Sequence, residues 1–249
     1  MNSTINTQLN HRTIRKFTGE KINESTLKTL YEVANRTGTS MGMQTYSIIR
    51  ITDSEIKERL AVIGKQDYMK DATELFVFIV DQFRNAEIAR AQGVEESLLN
   101  DMDKFFQGFT DASLACQNMI VAAESLGLGC NYYGNIHNDT QAVIDLLKLP
   151  KLTYPVLGLG IGYPNQEPAL KPRMEMDIKV FDNSYKIYDD YLDLLKDYDQ
   201  VMQTYYDLRD TKKALDKFTL QVKGASENFI EKRKEIMKAI VYQGFDLML

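Results

Sequence analysis

Nineteen consecutive residues, GFTDASLACQNMIVAAESL from Gly108 to Leu126, constrain this chain more than any other feature, because they read as a helix that is apolar on nearly every side. Only Asp111, Gln117, Asn118 and Glu124 interrupt the pattern. A helix without a wet face has to be covered all round, so it belongs at the centre of a core or at a subunit interface. At 249 residues, 44% of them hydrophobic and 26% charged, the chain is long enough to bury a full core, with one domain plus appendages as the expectation.

The flanking sequence supplies the cover. A short helix is expected over Thr4 to Leu9, then an extended, cationic stretch from His11 to Phe17 with Arg12, Arg15 and Lys16. Ile22, Leu27, Leu30, Tyr31 and Ala34 recur at helical spacing behind Asn23, a residue type suited to the N-cap, and this helix stops near Thr37-Gly38. Tyr46 to Thr52 is β-branched and reads as a strand, followed by a helix over Glu55 to Ile63. LFVFIVD, Leu75 to Asp81, is apolar on both faces and reads as a central strand. A charged helical stretch from Phe83 to about Phe106 leads into the apolar helix, which Gly127 and Gly129 end. Cys130 to Gly134 starts a further extended segment, and Asn138 is placed to cap a helix running to Leu147. Pro155 to Tyr163 is a strand with Gly158, Gly160 and Gly162 on one face, baring it to a packed side chain or to a flat ligand. Both readings stay open at this point. After the loop NQEPALKPRM the character changes: Tyr188 to Asp210 is rich in Asp and Tyr, Lys212 to Lys238 is basic, and both read as long amphipathic helices. The expected division is therefore a core over 1–180 and a helical extension over 181–249.

Several function classes are disfavoured. A net charge of -5 speaks against a polyanionic nucleic acid as the principal partner. Cys116 and Cys130 form no disulfide framework, and with His11 and His137 as the only histidines no metal-ligand spacing or nucleophilic triad can be assembled. The two thiols read as small buried hydrophobes. No run approaches a membrane span, no signal-peptide pattern opens the chain, and cytoplasmic residence is expected. What remains is two separated cationic motifs, His11-Arg12-Thr13-Ile14-Arg15 and Lys171-Pro172-Arg173. A short basic run by itself is usually a solvated face, but guanidinium forks also match phosphate oxygens.

Taken in order, the motifs HRTIRKF, AAESLGLGCNYYGNIHN, LLKLP, LGLGIGYP and LKPR resemble the flavin-dependent nitroreductase superfamily, and within it the oxygen-insensitive NADPH nitroreductases and NAD(P)H:flavin oxidoreductases. The resemblance runs from about Asn10 to Arg173 and weakens beyond. It implies an α+β fold with a central, mostly antiparallel sheet flanked by helices, and a homodimer with the Gly108–Leu126 helix at its interface and the tail embracing the partner. It also implies FMN, held non-covalently between subunits, and NADPH or NADH as co-substrate. By the resemblance His11, Arg12, Thr13, Arg15, Lys171 and Arg173 surround the FMN phosphate and pyrimidine edge. Gln66 hydrogen-bonds the flavin, and Tyr132, Tyr133, Gly134 and Asn135 lie along its ring, Asn135 standing where the group commonly has glycine. Thr39 and Ser40 match a serine-rich stretch on the partner's side of the pocket, from which Gly38 and Met41 depart. His137 stands where the group has an arginine for the NADPH 2′-phosphate, and Arg209, Lys212 and Lys213 are expected to compensate.

The implied activity is reduction of nitro compounds, quinones or flavins by ping-pong turnover, with no catalytic acid or base required because the cofactor carries the chemistry. Arg15 at the N1/O2 edge of the flavin would stabilise the charge of the reduced ring. Two other readings stand beside it: a dedicated NAD(P)H:FMN reductase releasing reduced flavin, and a non-catalytic flavin-binding sensor.

Overall fold

The two most apolar strands of the sequence lie side by side at the centre of one antiparallel sheet. In the computed structural model, which describes residues 1–208 and 213–247, β1 (Tyr46–Ile51), β2 (Glu74–Asp81), β3 (Gly129–Tyr133) and β4 (Thr153–Gly162) are ordered β1-β2-β4-β3. β2 and β4 are buried almost along their whole length, as strands covered on both faces must be. With helices on the sheet, the class is the expected α+β.

α1 (Ser3–Leu9) and α2 (Glu24–Asn35) precede the sheet, α2 capped by Asn23, whose Oδ1 accepts the Thr26 N–H at 2.8 Å. α3 (Ser54–Gly64) joins β1 to β2. The charged stretch after β2 is not one helix. α4 (Gln82–Arg90) ends at a turn through Gly93, which has φ +81°, and α5 begins at Met102 because Asp101 accepts the Lys104 N–H at 3.0 Å and caps it there. α5 (Met102–Ser125) is the constraining helix of the sequence, now extended by a turn and a half at its start. Met119 and Ile120 on it are fully buried, each contributing about 1.5–3 kcal/mol by leaving water. Its cover is incomplete in one chain: Phe106 and Leu114 are 61% and 49% exposed. α6 (Thr140–Leu146) is capped by Asp139, which accepts the Ala142 N–H; Asn138, the expected cap, turns its amide to Gly64 O instead.

The glycine row of β4 serves packing. A Cβ on Gly158 or Gly160 would lie within 2.9 Å of the Tyr133 side chain, and one on Gly162 would lie 2.7 Å from Phe17 Cδ1. Two aromatic rings fill the bared face.

The chain forms two compact units, Met1–Gln166 with the stretch from Ile230 onward, and Glu167–Phe229. The boundaries differ from the expected 1–180 and 181–249 because the last stretch returns to the first unit. There α10 (Ile236–Tyr242) leads to Gln243, whose amide donates to Pro150 O and Thr153 O at 2.7 and 2.9 Å, and Phe245 packs edge-on to Phe105. In the second unit the expected long helices are short: α7 (Tyr191–Leu194), α8 (Lys196–Met202) and α9 (Phe218–Glu227). α8 and α9 are joined through buried Asp199, which accepts the Thr219 N–H and hydroxyl at 3.0 and 2.6 Å.

Candidate active site

Each polar interruption of α5 holds a different segment in place. Asp111 accepts from Ser40 N–H (2.9 Å), Thr45 N–H (3.2 Å) and the Thr45 hydroxyl (2.9 Å). Asn118 donates to Val33 O and the Thr37 hydroxyl at 3.0 and 3.1 Å, and Gln117 Oε1 accepts the Tyr132 hydroxyl. Glu124 Oε1 lies 2.6 Å from His11 Nδ1. One helix thus orders the loop of Thr39 and Ser40, the side chain of Tyr132 and the entry to the HRTIR motif. Asp111 and Glu124 are thirteen residues apart on it, about 20 Å at 1.5 Å per residue, so the Ser40 loop and His11 lie far from each other in one chain.

The HRTIR motif is strapped to the sheet by its backbone. Thr13 bridges Cys130 in parallel, and Ile14 N–H donates to Cys130 O at 2.9 Å, covering the start of the β3 edge. Further on, Thr18 N–H donates to Tyr163 O and Asn165 N–H to Lys16 O, at 3.0 and 2.9 Å. Three motif blocks far apart in sequence therefore meet along one line. Ile14 turns inward and is buried, so the flanking Thr13 and Arg15 are left half-buried on the other side. Arg12 borders a cleft of about 220 Å³ with Asn10 and Glu124; its Nη1 donates to Asn10 O, while its Nε is buried without a hydrogen-bond partner.

Gln66 follows the end of α3, half-buried, behind Lys65 in the left-handed conformation (φ 52°). The carbonyl two residues before it, Gly64 O, accepts from Asn135 Nδ2 at 2.6 Å and from Asn138 Nδ2 at 3.1 Å. Gln66 and the Gly134–Asn135 segment are so brought together. The two tyrosines part company: Tyr132 is exposed, whereas Tyr133 is fully buried on the glycine row, so only its backbone is available to a ring-bearing ligand.

His137 is turned into the protein. It is buried, its Nε2 lies 2.9 Å from Val156 O, and its ring stacks on Tyr154 at 5.7 Å. Burial, and after it the charge of Arg233, lowers its pKa below the ordinary 6.5. The unfolded chain therefore takes up a proton near pH 6.5 that the folded chain refuses, and stability falls as pH drops below that point, by at most about 1.4 kcal/mol per pH unit for this one group. His137→Gln is expected to flatten the acid limb of a plot of urea midpoint against pH; an unchanged slope between pH 7 and 5 would remove His137 as its cause.

The cation that does reach this segment is one the sequence pattern hid. Arg233 donates to Gly134 O and Asn138 Oδ1, both at 3.3 Å, and the neighbouring Lys232 pairs with Asp139. In the sequence it is one charge in a basic run, and nothing in its spacing marks it. Arg209 and Lys212 lie outside the described residues, and Lys213 is exposed. Lys171 and Arg173, in the second unit, are exposed, and Arg173 Nη1 donates to Lys171 O and Pro172 O. Burial holds the Cys116 and Cys130 thiols above their ordinary pKa, as expected of packing residues. Among the described residues no His, Cys, Asp or Glu cluster fits a metal ion, and no helix is long and apolar enough to cross a membrane.

The sequence model of the nitroreductase family matches residues 9–163, and that of the nitroreductase family C-terminal domain matches residues 171–248. The chain belongs to the nitroreductase family. Among its relatives is an FMN reductase (NADPH) of Bacillus subtilis, 38% identical over 209 residues, 83% of this chain and 84% of that protein. An oxygen-insensitive NADPH nitroreductase of Salmonella typhimurium is 37% identical over 207 residues, 83% of each chain. The solved structure of the NADPH:FMN oxidoreductase from Vibrio harveyi complexed with NAD+ superposes with a TM-score of 0.86 at 33% identity, covering 98% of this chain and 99% of that one.

Proposed function

We propose that this chain is an FMN-dependent NAD(P)H oxidoreductase that reduces nitro compounds, quinones or flavins, acting as a homodimer in the cytoplasm. The observation that carries the reading is the HRTIR segment, fastened by its backbone to β3 and to the end of β4, with Arg12 Nε buried and unpartnered beside an open cleft. A buried guanidinium nitrogen without an acceptor is suited to a phosphate oxygen, so the residues present fit the group.

His11, Arg12, Thr13 and Arg15 would hold FMN, and Lys171 and Arg173 are proposed as further ligands on the strength of their sequence motif alone. Glu124 fixes the His11 ring by its Nδ1, which leaves Nε2 to face the ligand. Gln66, the backbone from Tyr133 to Asn135 and the side chain of Tyr132 would line the ring. When bound, FMN supplies hydride acceptance from the nicotinamide and electron transfer to the second substrate. The chain's own part is to orient both substrates on one open face and, through Arg15, to stabilise negative charge at the ring edge. Arg233, which reaches Gly134 and Asn138, is the cation of this segment offered to the nicotinamide nucleotide in place of the buried His137.

Two features support the dimer. The outer edge of β1 pairs with no other strand among the described residues, and a groove of about 630 Å³ lined by Tyr31, Tyr46, Ile48 and Arg50 runs beside it. The distance along α5 between His11 and the Ser40 loop suits a loop that serves the partner's flavin. The test is anaerobic mixing of the FMN-loaded protein, shown by sedimentation to be a dimer, with NADPH and with NADH. The visible flavin absorption is expected to bleach within seconds and to return on adding a nitroaromatic, a quinone or free FMN. Flavin that stays oxidised would sink the enzymatic reading in favour of a sensor, and return with free FMN alone would single out the dedicated flavin reductase.

A further inference from the structure

The loop between α2 and β1 holds a backbone shape that its own residues disfavour. Met41, Gly42 and Gln44 have φ of 49°, 72° and 51°, and two of the three carry a side chain that resists the left-handed region. Such a loop relaxes unless its surroundings over-determine it.

What over-determines it is mainly one carboxylate. Asp111 is 1% exposed, and its two oxygens accept Ser40 N–H at one end of the loop and both the N–H and hydroxyl of Thr45 at the other. Three hydrogen bonds offset the cost of burying the charge. Gly108, one turn earlier on α5, lets the helix come this close: a Cβ there would stand 2.6 Å from Thr45 O. On the loop's outer side Asn85 Nδ2 donates to Met43 O at 2.9 Å, and Arg84 donates to Gln44 O. The loop is thus tied at both ends and along its outer side, with Thr39 and Ser40 half-buried at its start.

We propose that Asp111 is a positioning residue for the flavin pocket, holding the 39–44 loop in the shape in which Thr39 and Ser40 meet FMN. The inference rests on the reading of that loop as a wall of the pocket. Asp111→Asn keeps the volume but sets an amide N–H₂ against one end of the loop, where donors already face it. Thr45→Val removes one hydroxyl donor and leaves the carboxylate.

Both variants are compared with the wild-type full chain by FMN titration, by visible circular dichroism of the bound flavin at saturating FMN, and by thermolysin cleavage within the loop. The dichroism reports how the ring is seated, which a loss of global stability alone does not alter. Asp111→Asn is expected to bind FMN roughly tenfold or more weakly, with an altered dichroism band and faster cleavage between Thr39 and Gln44. Thr45→Val is expected to move all three readouts in the same direction, by about two- to fivefold in affinity. Wild-type affinity and dichroism in a folded Asp111→Asn protein would overturn the assignment; should that variant not fold, the same result for Thr45→Val overturns it. A wild-type protein that takes up no FMN overturns the pocket reading itself and the role of Asp111 with it, a result that differs from unchanged variants.

Discussion

Arg12→Ala combined with Arg173→Ala is expected to purify as folded, colourless protein. A charge-assisted hydrogen bond to a phosphate is worth about 1.5–3 kcal/mol, so losing one from each motif weakens FMN binding by about 10²- to 10⁴-fold. The fold does not depend on either side chain. Arg12 gives one hydrogen bond to the carbonyl of Asn10, Arg173 gives two to carbonyls at Lys171 and Pro172, and the HRTIR segment is held by backbone bonds to Cys130 and around Tyr163. The measurements are the flavin-to-protein ratio after gel filtration, the FMN dissociation constant, and the unfolding midpoint. Full flavin occupancy at wild-type affinity would refute the assignment of both arginines to the phosphate.

A second large effect is expected far from any charge. In Gly129→Ala the new Cβ would stand 2.6 to 2.8 Å from Cγ1, Cβ and Cγ2 of Ile14. Isoleucine is stiff about χ1 and cannot swing aside, so either the β3 edge or the motif segment has to move. Overpacking of this kind costs about 1–3 kcal/mol. Because Thr13 and Arg15 flank Ile14, flavin affinity should fall together with stability. Ile14→Ala on its own leaves a cavity and costs about 2–5 kcal/mol, but in the double variant it makes room for the new methyl group. The double variant should therefore lose less than the sum of the two single losses, by about 0.5–3 kcal/mol, in urea unfolding of all three proteins. Strict additivity, or a Gly129→Ala protein with wild-type stability and flavin content, would show that this contact does not couple the edge to the motif.

Much of this site could be read from residue order because the signals are local. The β-branched run of β1, the two-faced apolar run of β2 and the Asn23 cap each depend on neighbours a few residues away. The division of α4 from α5 is not legible in the sequence because Gly93 and Asp101 act within a stretch whose charge pattern is continuous. The tail helices are shorter than their pattern for a similar reason: amphipathic spacing runs on past Gln203 and Asn228, where α8 and α9 stop. Asn138 and Asp139 are both good caps, and only the closeness of Gly64 O decides that the first turns away and the second caps.

The strands, the buried helix and the identity of its four polar exceptions follow from residue order, since periodicity and solvation act on each residue where it stands. What those exceptions hold depends on packing between distant segments: Ser40 is 71 residues from Asp111, and His11 is 113 from Glu124. Packing likewise decides that Tyr133 and His137 go inside while Tyr132 stays out and Arg233 arrives from the far end of the chain. A buried polar group takes whichever partner packing brings within reach, and that partner is a property of the folded surface, not of spacing along the chain.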